Sequence, residues 1–559
     1  MSGKMKNSAL KFLILSILTL GSSPALQAAG KDTLSVGVSG EFETLNPIIL
    51  SISVSRYMST LSYRPLVTLS IDNKWVPILA TKIPTFENKM VKRVGEGLDV
   101  TVEIRPEAQW GDGVPVTCKD IDFAVTVGKS PNVSTPSKEG YENIKAVKWD
   151  EKTPKKCVIS FVKAKFNYFA NFIDPMPSHL EGPIFEKYKN QPQGYDNNTL
   201  YTKNPNNPGL YNGPYVVSDL KLGSHVTFTA NPKFGGKKPQ IRQITFKLIP
   251  NGNTLPTRLQ AGDIDIITPA SGFTLDQAVA FEKKIQAEKL PYKVMWADGV
   301  IYSHIDVNLE NPALSDLAVR KALSLGFNKK EMIQSLLEGR AKVAHHFVTE
   351  KNPWYTEKVP VYNYNRREAA KILDEAGWKA GSDGIRSKDG KKLSFTIYGG
   401  AGSKLIENIE AYLQSQWKSI GIELKIKNEP LRILFSETIP KRKFDLALYS
   451  WVSIPESSPR SMLHSEMIPS EKNSWSGQNN PGYRNPEMDK LIDQLEGEFD
   501  AKKRGKLGQK IVEIYARDIP VIPLYYRPDP AVVPLDLKGY KPSGHLGYET
   551  HWAEEWSRN

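Results

Sequence analysis

The stretch from Ser450 to Tyr483, SWVSIPESSPRSMLHSEMIPSEKNSWSGQNNPGY, gathers serines, a histidine, carboxylates and two tryptophans. Such residues suit two kinds of chemistry: nucleophilic attack by a serine, or closure over a solute held by hydrogen bonds, charge and stacking. A serine hydrolase of the α/β type needs Gly-x-Ser-x-Gly on a tight strand-to-helix turn. The loop offers only SWSGQ, Ser474 to Gln478, which lacks the first glycine, and no such elbow stands elsewhere. Ser415 and Lys418 have the Ser-x-x-Lys spacing of penicillin-recognising enzymes, but inside an amphipathic helical pattern and without the companion motifs. His345-His346 is the only close histidine pair, and adjacent residues on a helix or strand rarely share a metal. There is no His-Glu-x-x-His, Cys-x-x-Cys, phosphate loop or dinucleotide fingerprint. The absence of a catalytic constellation points to a binder without a cofactor. An exported serine hydrolase is the competing reading from another class.

The elements that must position this loop alternate between strand and helix. Thr33–Val38, Leu98–Ile104, His225–Ala230, Ile244–Ile249, Asp263–Ile267, Ser303–Leu309 and Val521–Tyr526 read as strands, and Phe444–Trp451 as a buried one. Helical patterns cover Thr254–Ala261, Leu317–Leu325, Arg366–Ala376, Leu405–Ile420, Met488–Phe499 and Lys506–Ala516. Asp120 is placed to cap a helix through Val125, and Asn328 with Glu331 forms a capping box. Gly377 suits the left-handed position after a helix. The opening loop follows the buried strand directly, and ligands of open α/β sheets sit beyond the carboxyl ends of strands.

The bulk numbers fit an exported globular protein. With 559 residues, 40% hydrophobic and 24% charged, the chain can build several compact units. Lys4, Lys6 and Lys11 precede the apolar run Phe12–Leu20 and small residues to Ala29, the pattern of a cleavable secretory signal. That run is too short to span a bilayer, and no cysteine follows it to carry a lipid. The net charge of +13 is spread over 74 basic and 61 acidic residues without a basic stripe, which argues against nucleic-acid binding. The two cysteines, Cys118 and Cys157, would close a loop of about 40 residues if bridged, or stand as two buried thiols.

Several segments in order then carry a resemblance. They include LSYRPLVTLSIDNKWVPILA (Leu61–Ala80), VEIRPEAQWGDGVPVTCKDIDFAV (Val102–Val125), GLYNGPYVV (Gly209–Val217) and LQAGDIDI (Leu259–Ile266). NPALSDLAVRKALSLGFNKKEMI (Asn311–Ile333), REAAKILDEAGWKAGSDGIRSKDGKKLSF (Arg367–Phe395), NNPGYRNPEMDKLID (Asn479–Asp493) and DIPVIPLYYR (Asp518–Arg527) complete the order. The whole mature chain resembles the extracellular solute-binding proteins of peptide-type and nickel-type ABC importers.

The resemblance implies an α/β, type II periplasmic-binding-protein clamp of two lobes with a hinge, plus an inserted α/β domain. Residues 1–29 would be the signal. Lobe I would comprise 30–71, 207–299 and 528–559, the inserted domain 72–206, and lobe II 300–527. The chain would cross near Tyr302 and Tyr526, and Cys118 and Cys157 would share the inserted domain.

The function implied is that of a monomeric periplasmic receptor that hands a peptide or peptide-like solute to a membrane permease. A nickel or metal-chelate binder, another small-solute receptor, or a sensor are the alternatives within that family. In peptide-binding members an acid a few residues past a tryptophan like Trp451 pairs the ligand's amine; here that position is nearer Ile454, and Glu456 is the acid within reach. Trp451 and Trp475 would stack on the ligand, Ser453 and Ser458 would hydrogen-bond it, and Arg460 would pair a carboxylate. Asn46, the segment Ser51–Arg56 and Tyr302 would complete the cleft.

Overall fold

A strand pairing both its neighbours over its full length makes a rigid plate; two strands that change partners halfway make a joint. The computed structural model describes residues 32–559 except 270–271, 453, 455–456, 474, 476 and 545–547, and the side chain of Asn171. The leader, Ser453 and Glu456 thus lie outside the described residues.

The strands that matter are β1 (Thr33–Val38), β2 (Val91–Val94), β3 (Gly97–Glu103), β4 (Ile144–Trp149), β5 (Lys156–Phe161), β6 (Tyr215–Lys221) and β7 (His225–Ala230). They are followed by β8 (Gln243–Leu248), β9 (Ile266–Ile267), β10 (Tyr292–Val307), β11 (Ser394–Gly400), β12 (Glu423–Glu429), β13 (Leu446–Val452) and β14 (Val521–Pro534). The main sheet runs β12-β11-β13-β10-β14-β9-β1-β8-β7-β6, with Lys342–Val343 added against β14. A separate sheet, β2-β3-β5-β4, belongs to the small unit between β1 and β6.

Only β10 and β14 serve both halves of the main sheet. They pair in two stretches, Tyr292–Ala297 with Asp529–Pro534 and Ile301–Asp306 with Val521–Arg527, with the register broken between Ala297 and Ile301. Gly299 lies in that break, and a Cβ there would collide with the carbonyl oxygen of Arg527, so the approach of the two backbones requires glycine. Tyr302 and Tyr526, where the chain is expected to cross, are register partners just beyond it.

The helices α1 (Ser53–Ser62), α2 (Cys118–Lys129), α3 (Leu275–Glu288), α4 (Leu317–Leu325), α5 (Arg366–Glu375), α6 (Lys404–Lys418), α7 (Pro486–Gly497) and α8 (Ala501–Asp518) cover the sheets. Asp120 differs from its expected role. Thr117 is the N-cap of α2, and Asp120 acts three positions on, returning a bond to the Thr117 backbone. Gly377 ends α5 with φ of 86°, a left-handed conformation that side chains resist. Among the described residues no helix is long and apolar enough to cross a membrane.

The cores follow this division. Leu34, Val36 and Tyr57 share one cluster with Val100, Ile121 and Ile159, so the small unit is fused to the first half of the sheet. Leu323, Ile397, Leu413 and Trp417 make a second cluster, and Trp354, Ile492 and Tyr515 a third. Phe166 of the small unit inserts into the third cluster, and Arg504 lies 4.5 Å above its ring. Phe499 packs edge-on against Phe86 at 5.0 Å. These aromatics bring the small unit against α7 and α8 across the gap between the halves. Cys118 and Cys157 are bridged, Cα atoms 5.9 Å apart, tying α2 to β5.

Candidate functional site

The main sheet splits open at β13. On one side β13 pairs with β10 from Leu446 to Val452. On the other it pairs with β11 only at Leu446 and Ala447, while β11 continues beside β12 through Gly399 and Gly400. From Leu448 onward, the β11 side of β13 therefore presents a free strand edge, with alternate residues offering unpaired backbone groups.

That edge opens into a cavity of about 560 Å³. Its second-half wall is Leu448–Ser450 of β13, the turn Gly400–Ser403, Leu405 and Ile406 of α6, and Leu431, Leu434 and Phe435. Its first-half wall is Phe273, Thr274 and Leu275 at the start of α3, with Pro528–Pro530 of β14. The turn is glycine-rich because the chain passes from β11 into α6 against the side chain of Leu431, which a Cβ on Gly400 would strike. Ser403 caps α6, its hydroxyl accepting from the Ile406 amide.

A second cavity of about 330 Å³ lies further along the strand direction. Ile454, from the loop that leaves β13, forms part of it. The facing wall comes from Pro47 and Leu50, from Arg56, Ser59 and Thr60 of α1, and from Trp75, Phe169, Phe172 and Asp174. Ser450 lines the larger cavity and Ile454, four residues on in the sequence, lines the second. The segment that begins in β13 therefore contributes to both.

The charges of the second cavity are sparse. Asp174 is half-buried and Arg56 exposed, and among the described residues neither side chain has a hydrogen bond or ion pair. Burial raises the Asp174 carboxyl to about 6 even though the Arg56 charge pulls it down. Ile454 adds no charge on the loop side.

The predicted residues divide. Trp451 is half-buried and lies with Tyr302 over a void of only about 20 Å³, roomy enough for about one water. Tyr302, 3% exposed, stacks on His304 at 4.7 Å and is floor, not surface. Beneath them His304 approaches Asp306 at 3.3 Å, and Tyr449 donates to Asp306.

Four expectations need correction. Asn46 is fully buried; its amide nitrogen donates to Tyr195 and Thr199 and its oxygen accepts from Ile48, so it holds the scaffold and faces no cleft. Arg460 is held by Glu496 at 3.0 Å, by Asp493 and by Glu466 at 3.4 Å, which leaves its guanidinium committed within the second half. Ser458 donates to the same Glu496 at 2.7 Å. Trp475 is half-buried at a positive φ of 59°, its amide bonded to Ser470, and it lines neither cavity among their described residues.

The residues not anticipated are Phe169, Phe172, Asp174, Leu431, Phe435 and the turn Gly400–Ser403. The run GGAGS after a strand was a local signal for the turn. Asp174 had none, since only folding brings it opposite Ile454. Among the described residues no group of three metal-ligating side chains occurs.

Two half-sheets joined by two strands, with a cleft between them walled from both sides, define a ligand-binding clamp. The family model of the bacterial extracellular solute-binding proteins, family 5, matches residues 74–466, and the chain belongs to that family. It is a two-lobed α/β clamp with an additional domain, the type II periplasmic-binding-protein fold.

The chain is 28% identical to the oligopeptide-binding protein AppA of Bacillus subtilis, over 96% of this chain and 94% of that one. It is 22% identical to the nickel-binding periplasmic protein of Escherichia coli, over 90% of each. The crystal structure of an oligopeptide-binding protein from Thermus thermophilus complexed with a pentapeptide superposes with a TM-score of 0.73 at 25% identity, covering 94% of this chain and 96% of the other.

Proposed function

We propose that the protein is a periplasmic receptor that captures an oligopeptide between its lobes and delivers it unaltered to the permease of an ABC importer. The free edge of β13 inside the cleft carries this reading. An unpaired edge is a template for an extended chain, whose main-chain bonds give affinity without regard to side-chain identity. The oligopeptide-binding relatives support the same ligand class.

Lobe I comprises 30–71, 207–299 and 528–559, with 72–206 inserted, and lobe II comprises 300–527; the joint is the interrupted β10–β14 pairing around Gly299. The leader exports the chain, which works as a monomer. Trp451, at the end of β13, and Ser453 and Glu456, which lie outside the described residues, are the ligand contacts this reading assigns to the segment. Closure is driven by the ligand's greater affinity for the shut state.

The test is mass spectrometry of what accompanies the protein from its native host, followed by thermal shift and solution scattering with those compounds. Ligand at about 100 times Kd adds about 2.7 kcal/mol to stability, and scattering shows compaction. A guest that emerges cleaved, or one that binds without compaction, refutes the reading. Metal analysis of the same untagged sample tests the chelate alternative carried by the nickel-binding relative.

A further inference from the structure

The second cavity contains two charges of opposite sign that no side chain or backbone group among the described residues pairs. Asp174 follows Phe172 and Ile173 on the wall of the inserted domain; beside it Tyr63 donates its hydroxyl to the carbonyl of Pro175, not to the carboxylate. Arg56 projects from α1 into the same cavity without reaching Asp174 as an ion pair. A half-buried carboxylate with no donor is costly unless something supplies one. The other walls, Leu50, Trp75, Phe169, Phe172 and Ile454, offer no charge.

We infer that Asp174 anchors the ammonium group of the ligand, from the inserted domain, at the end of the cleft where the loop contributes Ile454. Resting on the oligopeptide reading above, this sets the direction of the bound chain: its amino terminus lies in the cavity of Asp174, and the following residues run along β13 toward the larger cavity. Arg56 is a positioning residue. It is too far to neutralise Asp174 and near enough to favour its ionised form.

The groups facing Asp174 are Arg56, the hydroxyls of Tyr63 and Tyr141, and His551 across the cavity. Burial and the Asp174 charge push both tyrosines up, so they stay neutral. An ammonium bound to the carboxylate lowers its pKa further. Affinity is therefore full above the free value of about 6 and declines as the pH falls through it.

The test uses the mature chain and an alternating alanine–leucine pentapeptide, free and N-acetylated, in titration calorimetry. The wild type should bind the free peptide about 10- to 100-fold more tightly than the acetylated one. Asp174→Asn should bind both forms equally, at the level of the acetylated peptide on wild type. Arg56→Gln should move the acid limb of the affinity profile to higher pH; an unmoved limb removes Arg56 from the account.

If Asp174→Asn still discriminates against acetylation, or if Glu456→Gln abolishes the discrimination instead, the anchor is elsewhere and the oligopeptide reading stands. If neither peptide form binds the wild type, the oligopeptide reading fails and the anchor with it.

Discussion

A pentapeptide methylated at one backbone nitrogen at a time interrogates the open edge of β13. From Leu448 to Val452 that strand is paired with β10 alone, and its other side faces the larger cavity. A ligand strand laid against it meets backbone groups only at alternate residues, because the ladder's bonds alternate in direction. A methyl on an inward amide removes one net bond of about 0.5–1.5 kcal/mol and leaves a carbonyl of β13 dry, at about 1–3 kcal/mol. The sum corresponds to roughly a 10- to 1,000-fold loss of affinity, with about 1.4 kcal/mol per decade. A methyl on an outward amide costs little beyond local sterics.

Calorimetric titration of the methylated series should show losses that alternate along the peptide with a period of two. A uniform loss would mean that the ligand is held by its side chains and ends alone. No loss at any position would mean that the free edge is not where the ligand lies. Either result refutes the strand-addition argument, while leaving the clamp itself intact.

Replacing both Cys118 and Cys157 by serine should destabilise the protein by about 4 kcal/mol in urea unfolding, from the loop-closure entropy of the bridge across a separation of 39 residues. A change below about 1 kcal/mol would show that the bridge constrains little in the unfolded chain. Arg460→Ala should lower stability by roughly 2–4 kcal/mol, since Glu496 and Asp493 lose their partner in a partly buried site. Peptide affinity should stay within about twofold in the same variant; a drop in affinity without a loss of stability would restore Arg460 as a ligand contact. Glu410 is fully buried, accepts from Asn428 at 2.8 Å, and burial raises its carboxyl to about 7. Folding therefore favours its protonated form, so its cost is absent below pH 4.5 and grows as the pH rises to about 7. Glu410→Gln should match the wild type at pH 4 and exceed it by up to about 3 kcal/mol above pH 7; a gain independent of pH would point to packing instead.

Local pattern was enough wherever an element buries one face by itself. Thr33–Val38 and Leu317–Leu325 fold over the spans their periodicity marks, and the apolar run Phe444–Trp451 becomes β13 at Leu446–Val452. The same pattern fell short at the joint. Ser303–Leu309 and Val521–Tyr526 read as short strands, yet β10 spans Tyr292–Val307 and β14 Val521–Pro534. Gly299 and Pro528 look like strand ends in a single sheet. They are tolerated because each strand changes from one half-sheet to the other there, where the ladder is already interrupted.

The site divides in the same way. That a loop after a buried strand would face a cleft followed from chain order, because side chains beyond a strand's carboxyl end have no further sheet to pack on. Which loop residues are free to meet a ligand did not follow from their types. Arg460 and Ser458 have the chemistry of ligand contacts, but α7 brings Glu496 and Asp493 to them. Asn46 has the chemistry too, but Tyr195 and Thr199 enclose it.

The sequence by itself determined the family, the alternation of strand and helix, and the place of the loop, all set by residues near one another along the chain. Only the tertiary structure decided that β13 keeps an open edge and that Asp174 stands across from Ile454. Pairing register and burial depend on segments hundreds of residues apart, and no local periodicity records them.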